Sequence, residues 1–236
     1  MALLGTIVNS LAIIVGSVIG MFLNRIPDRM KTTILQGLGM AVFVIGLSMA
    51  LKTAYADGYD LFYVIASLVF GGLLGEMLDI EGKLHALGRF IERKMSKFGN
   101  GKVSEAFVFS SLVYCVGAMA IVGSLQSGLE GNHKILYTKA MLDGFSGIFF
   151  TSAMGIGIAL SAIPVFLYQG SIALMAGLLA SVLSSQVISV MSGCGGLLIM
   201  GIALNVLEIK KINVGNLLPA IFFAGIIKWI AMNWGY

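Results

Sequence analysis

The sequence predicts an all-α membrane protein, a polytopic bundle of transmembrane helices. Hydrophobic residues make up 58% of the chain and charged residues 11%, whereas soluble domains carry about 25% charged residues. The mean hydropathy of +0.97 reflects the same imbalance. Too few polar residues remain to cover a water-soluble globule, so the composition excludes a soluble enzyme, a disordered scaffold and a nucleic-acid-binding protein.

The apolar runs set the number of predicted spans. A helix needs about 20 apolar residues to cross the hydrocarbon core, and about eight runs approach that length. These runs are 3–24, 33–51, 61–80, 105–126, 140–160, 163–183, 190–208 and 217–235. Pro164 predicts a tight break between the fifth and sixth runs, because Pro does not continue a helix. The whole chain, 1–236, is expected to form a single transmembrane domain.

The basic residues predict the orientation, because cytoplasmic loops are enriched in Lys and Arg. The loops that follow the first, third and seventh spans hold 11 of the 15 basic residues of the chain. Lys52, Lys134 and Lys139 are assigned to outer loops, and Lys228 in the last span is expected to snorkel to the interface. Both termini are therefore predicted outside. No basic residue precedes the first run, which is unlike a cleavable signal peptide.

The segment 81–103 is the only sizeable polar connection. Its apolar residues recur at helical spacing with Lys and Arg between them. This pattern predicts an amphipathic helix on the cytoplasmic surface, with its basic face toward anionic headgroups. A surface connector is the simpler interpretation, and docking of a partner is the alternative.

Glycine spacing suggests an internal repeat. The segment Gly16–Gly20 in span 1 resembles Gly71–Gly75 in span 3, and a weaker echo in span 6 pairs spans 1–3 with spans 6–8. These two sets of spans would have inverted topology, an arrangement that places a substrate site near the midplane. Ordinary close packing of helices through small residues explains the same spacing. The glycines proposed for helix packing or helix breaks are Gly16, Gly20, Gly71, Gly75, Gly117, Gly123, Gly195 and Gly201.

Polar residues inside the spans are the candidate ligands. Asp143 is the best-placed carboxylate, since the other span acids lie at cytoplasmic helix ends; it is itself close to a helix end, where a purely interfacial role is the alternative. Amides can join helices or bind a hard cation through oxygen. The candidate ion-binding set is Asp143, Asn9, Gln126, Asn205 and Gln169. Helix breaks at 144–147, 155–157 and 192–196 would expose further carbonyl oxygens.

Several chemistries have no apparatus in the sequence. His85 and His133 are assigned to loops, while Cys115 and Cys194 lie in apolar runs without metal-ligand spacing. No P-loop, zinc-protease or serine-hydrolase motif occurs. We therefore expect a protein that is not an enzyme and has no metal centre and no cofactor other than bound Na⁺.

Four segments together resemble a known bacterial membrane family. They begin at Gly5, Val116, Tyr168 and Gly195 and read GTIVNSLAIIVGSVIG, VGAMAIVGSLQSGL, YQGS and GGLLIMGIALNVLEIKKINVGNLLPA. The family they resemble is called domain of unknown function 554, and the resemblance covers essentially the whole chain. It implies a multi-pass protein of the bacterial cytoplasmic membrane. The family has been described as a candidate sodium channel or pump, without established binding residues.

The sequence favours a transporter or channel for a small ion, with Na⁺ the favoured inorganic cation. A structural or accessory protein that oligomerises and docks a partner is the main alternative. A transporter of a small solute or an anion and an intramembrane enzyme are less favoured. The expected partners are the lipid bilayer and further copies of the chain, with no nucleic acid.

Overall fold

A computed structural model describes residues 2–23, 28–56, 58–83, 86, 103–115 and 118–234 of the chain. Within these ranges the secondary structure is helical and contains no strand, as the sequence predicts. The helices are α1 Leu4–Phe22, α2 Asp28–Ala54, α3 Asp60–Leu78, α4 Val103–Cys115, α5 Ala118–Glu130, α6 Lys134–Met154, α7 Gly157–Leu160, α8 Ala162–Leu174, α9 Ala176–Leu179, α10 Ser185–Val206 and α11 Pro219–Asn233. A 3₁₀ turn, Val214–Leu217, precedes α11.

Six helical stretches of the described chain are long and apolar enough to cross a bilayer. They are Leu4–Phe22, Thr32–Ala54, Asp60–Leu78, Gly157–Leu174, Ser185–Val206 and Val214–Asn233. A seventh crossing results if α4 and α5, which are bent by 60° relative to each other, form one broken span. The predicted count of about eight additionally requires α6, which carries Lys139 and Asp143 and is less apolar.

Contacts divide the chain into two compact units. Unit 1 comprises Met1–Leu38, Lys83–Cys115 and Met119–Gly177. In it α1 lies directly against α6. The contact is so close that a Cβ at Gly16 would overlap the carbonyl oxygen of Gly144, and a Cβ at Gly20 that of Ile148. Glycine therefore allows two backbones to meet without intervening side chains, as in other membrane helix pairs.

Unit 2 comprises Gly39–Gly82, Val116–Ala118 and Leu178–Tyr236. In it α3 packs on the segment that leads into α11, with Gly71 against Ala220 and Gly75 against the carbonyl of Asn216. The two glycine pairs that look alike in sequence thus have the same packing role, each within its own unit.

The helix boundaries correct three sequence predictions. The segments 144–147 and 192–196 lie inside the continuous helices α6 and α10, so the predicted helix breaks there are wrong. A break at 155–157 is confirmed: α6 ends at Met154, and the backbone of Gly155 has a φ of 89°, which residues other than glycine rarely adopt. The predicted break at Pro164 is also wrong. The chain turns at Gly155 instead, and Pro164 lies in the first turn of α8, where proline is tolerated.

Two predictions fall largely outside the described residues. Gly117 is one of them, and most of the predicted surface helix 81–103 is the other. The glycines that the structure does describe are closely packed: a Cβ at Gly123 would lie 2.9 Å from Leu136, and one at Gly201 would lie 3.1 Å from Val214. Gly195 is buried within α10.

Candidate functional site

The first helix buries its polar face. The buried residues of α1 are Gly5, Thr6, Asn9, Ser10, Ile13, Gly16, Ser17 and Gly20, of which only Ile13 is apolar and larger than glycine. The opposite face exposes Leu4, Ile7, Leu11, Ile14, Val15, Val18, Ile19 and Phe22. A soluble helix has the reverse pattern. This arrangement suits a helix with lipid on one side and a polar protein interior on the other.

Two of the predicted amides meet in that interior. Asn9 on α1 donates from Nδ2 to Oε1 of Gln169 on α8, at 3.3 Å, and both side chains are fully buried. The two residues are 160 positions apart in the chain. Their pairing brings α1 and α8 together around a polar contact rather than an apolar one.

A buried ion pair lies beside these amides. On α6, Nζ of Lys139 donates to Oδ2 of Asp143 at 2.6 Å, and both side chains are more than nine-tenths buried. Helix α6 packs directly on α1 beside this pair, where a Cβ at Gly144 would lie 3.2 Å from the carbonyl oxygen of Ala12. Asp143 is therefore in the same interior as Asn9 and Gln169, as part of a site whose charge Lys139 balances.

The assignment of Lys139 to an outer loop is wrong. The residue lies in the second turn of α6 and is 7% exposed. Its spacing of four residues from Asp143 is the signal that the sequence offers, because residues at i and i+4 meet on one helix face. Lys139 on the same helix therefore supplies the partner that a buried Asp143 requires.

Helix α4 completes this interior. The Ser146 hydroxyl donates to the Tyr114 hydroxyl at 3.2 Å, and Nζ of Lys139 lies 5.9 Å from the centroid of the Tyr114 ring. Tyr114 also packs near Phe150. We call Asn9, Tyr114, Lys139, Asp143, Ser146 and Gln169 the unit 1 polar cluster.

Unit 1 also holds several buried polar atoms without a hydrogen-bond partner. On α1 they are Thr6 Oγ1, Asn9 Oδ1, Ser10 Oγ and Ser17 Oγ, and elsewhere in the unit they are Ser124 Oγ, Thr151 Oγ1 and Gln169 Nε2. A buried polar atom without a partner is costly, and such atoms commonly bind water or a ligand. Most of these atoms are oxygens, which hard cations prefer.

The remaining predicted ligands have other surroundings. Asn205 belongs to unit 2, where its amide donates to the carbonyl of Ile212 at 2.8 Å and accepts from the Ile212 N–H at 2.7 Å. These bonds hold the turn after α10. Gln126 is half-buried in α5, and its backbone carbonyl accepts from the N–H of Asn132. Within the described part of the chain, no group of three or more His, Cys, Asp or Glu is placed to hold a metal ion.

Unit 2 contains its own buried ion pair. Nζ of Lys228 on α11 donates to Oδ1 of Asp60 on α3 at 2.8 Å, and it lies 5.1 Å from the Tyr63 ring centroid. Lys228 is 4% exposed, so the prediction that it snorkels to the interface is wrong. A carboxylate at the start of α3 holds it inside the protein.

A hydrogen-bonded junction follows α3 in unit 2. Asn216 donates to Oε2 of Glu76 at 2.6 Å and accepts from the Glu81 N–H at 2.7 Å. Glu81 in turn accepts from the Gly215 N–H at 2.6 Å. These acidic side chains anchor the 3₁₀ turn before α11, a structural role that the sequence does not predict.

Comparison with known proteins places these features in a family context. Residues 4–229 match the model of the family described as Protein of unknown function (DUF554). The chain is 32% identical to the "Uncharacterized membrane protein YdfK" of Bacillus subtilis (strain 168), over 98% of both chains. It is 26% identical to the "Uncharacterized protein YqgA" of Escherichia coli (strain K12), over 94% of both. No solved structure matches it.

Proposed function

Because this chain belongs to the DUF554 family of multi-pass membrane proteins, we propose that it moves a small inorganic cation, with Na⁺ as the favoured ion, across the membrane through unit 1. One observation carries the proposal: α1 buries a polar face and exposes an apolar one. Burying hydroxyls and amides in a membrane protein is costly, and such residues commonly mark the path of a substrate or ion.

The chemistry of the unit 1 polar cluster favours a cation. Within the cluster Asp143 supplies a carboxylate and Asn9 an amide oxygen, and beside the cluster Thr6 and Ser10 add hydroxyl oxygens on the same face of α1 as Asn9. Dehydration of an alkali cation is compensated by such oxygens, and amide and carbonyl dipoles serve the same purpose in membrane carriers. The Lys139 ammonium balances the Asp143 charge while the cation is absent.

The orientation belongs to the same proposal. Both termini lie on one side of the membrane when α6 and the α4–α5 pair each cross it in addition to the six apolar spans, and the Lys- and Arg-rich loops assign that side to the outside. The chain then crosses eight times, and α6 runs inward from Lys134. In this arrangement the polar side chains of α6 face α1 rather than lipid. We also propose that the protein forms homo-oligomers and has no catalytic activity.

Ion uptake into proteoliposomes tests the proposal. Purified protein is reconstituted in both orientations, and the uptake of isotopic Na⁺, K⁺ and Rb⁺ is measured. A pH-sensitive dye inside the vesicles reports proton movement in the same samples. We expect saturable Na⁺ uptake above that of vesicles containing a heat-inactivated sample. The proposal is contradicted if folded, correctly inserted protein moves none of these ions and no protons.

A further inference from the structure

The Lys139 ammonium occupies the position that a cation would take at Asp143. It lies 2.6 Å from Oδ2 of Asp143 in a site where both side chains are buried. A second cation cannot share that carboxylate oxygen at ordinary coordination distances without repelling the ammonium. Because the carboxylate carries a single negative charge, a cation that binds Asp143 competes with the Lys139 ammonium for it.

We propose that Lys139 is a built-in competitor for the cation site formed by Asp143 and Asn9. This inference rests on the proposed function and adds its regulation. In the resting protein the ammonium closes the site, and an entering Na⁺ takes over the Asp143 carboxylate. Lys139 keeps its charge throughout, so the exchange replaces one cation by another at a single carboxylate.

An independent observation points to a ligand at this place. Oδ1 of Asn9 has no hydrogen-bond partner although the residue is fully buried, while its Nδ2 is engaged by Gln169. Asn9 and Asp143 are on the two helices that meet here, since a Cβ at Gly144 would lie 3.2 Å from the carbonyl oxygen of Ala12. Thr6 and Ser10, one turn before and directly after Asn9 on the buried face of α1, also have unpartnered hydroxyls. The site thus offers oxygen acceptors that the ammonium on Asp143 leaves unused.

The displaced ammonium has an alternative resting place. Its Nζ is already 5.9 Å from the Tyr114 ring centroid, within the range of a cation–π interaction. Rotation of the flexible lysine side chain toward that ring would free the carboxylate and keep the charge partly stabilised. Arginine in the same position would hold Asp143 with two parallel hydrogen bonds and would be harder to displace.

The test is the Na⁺ concentration that half-saturates the thermal stabilisation of the purified protein, measured at constant ionic strength with choline as the replacement. A bound ion raises the unfolding temperature by mass action. We expect K139M to be half-saturated at a concentration at least about tenfold lower than wild type, and K139R at a higher one. D143N should lose the Na⁺-specific shift. K134M removes an exposed lysine from the start of the same helix and should match wild type.

The outcomes separate this inference from the proposed function. If wild type takes up Na⁺ but K139M and K139R keep its half-saturating concentration, Lys139 only neutralises Asp143 and the inference is overturned, while the transport proposal stands. If K139M does not fold, K139R decides alone: unchanged affinity overturns the inference and weaker Na⁺ binding supports it. If folded wild type neither takes up nor is stabilised by any alkali cation, both proposals fail.

Discussion

Asn9 and Gln169 form a hydrogen bond between two fully buried amides, on helices α1 and α8 of unit 1. The bond leaves Oδ1 of Asn9 and Nε2 of Gln169 without partners. A single hydrogen bond would join the two helices equally well with hydroxyl side chains, which leave fewer polar atoms unpaired than two amides do. The free Oδ1 of Asn9 is the atom of this pair that we propose binds the ion along its path.

The energetic role of this pair can be separated from its role in transport. In a double-mutant cycle of N9A and Q169A, we expect a coupling energy of about 0.6 kcal/mol, because hydrogen bonds between membrane helices contribute little net stability. Na⁺ uptake should nevertheless fall strongly in N9A, since the variant removes a proposed ligand. Thermal unfolding and isotope uptake of the same preparations provide the comparison. Uptake that merely follows stability would assign Asn9 to packing.

The glycine contact between α1 and α6 predicts a second result. G16A should destabilise the protein by about 1–3 kcal/mol, because its Cβ would overlap the Gly144 carbonyl and force the helices apart. G37A is the matched control, since a Cβ there meets nothing within 4 Å and alanine favours the helix. Unfolding in detergent should place the two variants on opposite sides of wild type. Equal effects would mean that α1 and α6 are not in close contact.

The ion pair of unit 2 predicts a third result. K228M should cost about 3–5 kcal/mol, because it leaves the Asp60 carboxylate buried without its ammonium. K52M removes an exposed lysine and should cost little. Exchanging the two residues, in D60K/K228D, should recover part of the loss. Denaturant titration measures all four proteins, and a K228M variant as stable as K52M would contradict a buried pair.

The sequence predicted the helical membrane class and the candidate amides, but not how charge is balanced within the protein. Periodicity and composition identify helices, and the packing of Gly16 and Gly71 follows from their spacing. Lys139 directly precedes the apolar run 140–160, which favours an outer loop, and Lys228 lies within the last run, where lysine commonly snorkels. Each is instead held by a carboxylate, Asp143 or Asp60. Only tertiary structure reveals the second of these partners, because Asp60 and Lys228 are 168 residues apart.

Helix breaks were also only partly predictable. Runs of small residues such as 192–196 allow close approach without interrupting a helix, and Gly196 meets the backbone at Gly46 in this way. Gly155 differs because its backbone adopts a positive φ after the last turn of α6. Glycine content alone does not distinguish these two uses, since the outcome depends on what packs against the residue.

The orientation predicts a fourth result. In a protein with Cys115 and Cys194 replaced by alanine, Y55C, K134C and W234C should react with an impermeant thiol reagent added outside intact cells. K210C should react only after the membrane is permeabilised. All four positions are exposed. If α6 does not cross the membrane, positions 210 and 234 exchange sides, so these two variants report directly on α6.

The central claim is that Na⁺ passes along the buried polar face of α1. It is tested most directly by Na⁺ uptake into proteoliposomes containing S10C or L11C, in the cysteine-free background, before and after treatment with a small positively charged thiol reagent. Ser10 lies on the polar face and Leu11 beside it on the exposed apolar face. We predict that treatment blocks uptake by S10C and leaves uptake by L11C unchanged. Uptake that survives modification of S10C, or that L11C modification blocks equally, would contradict the claim.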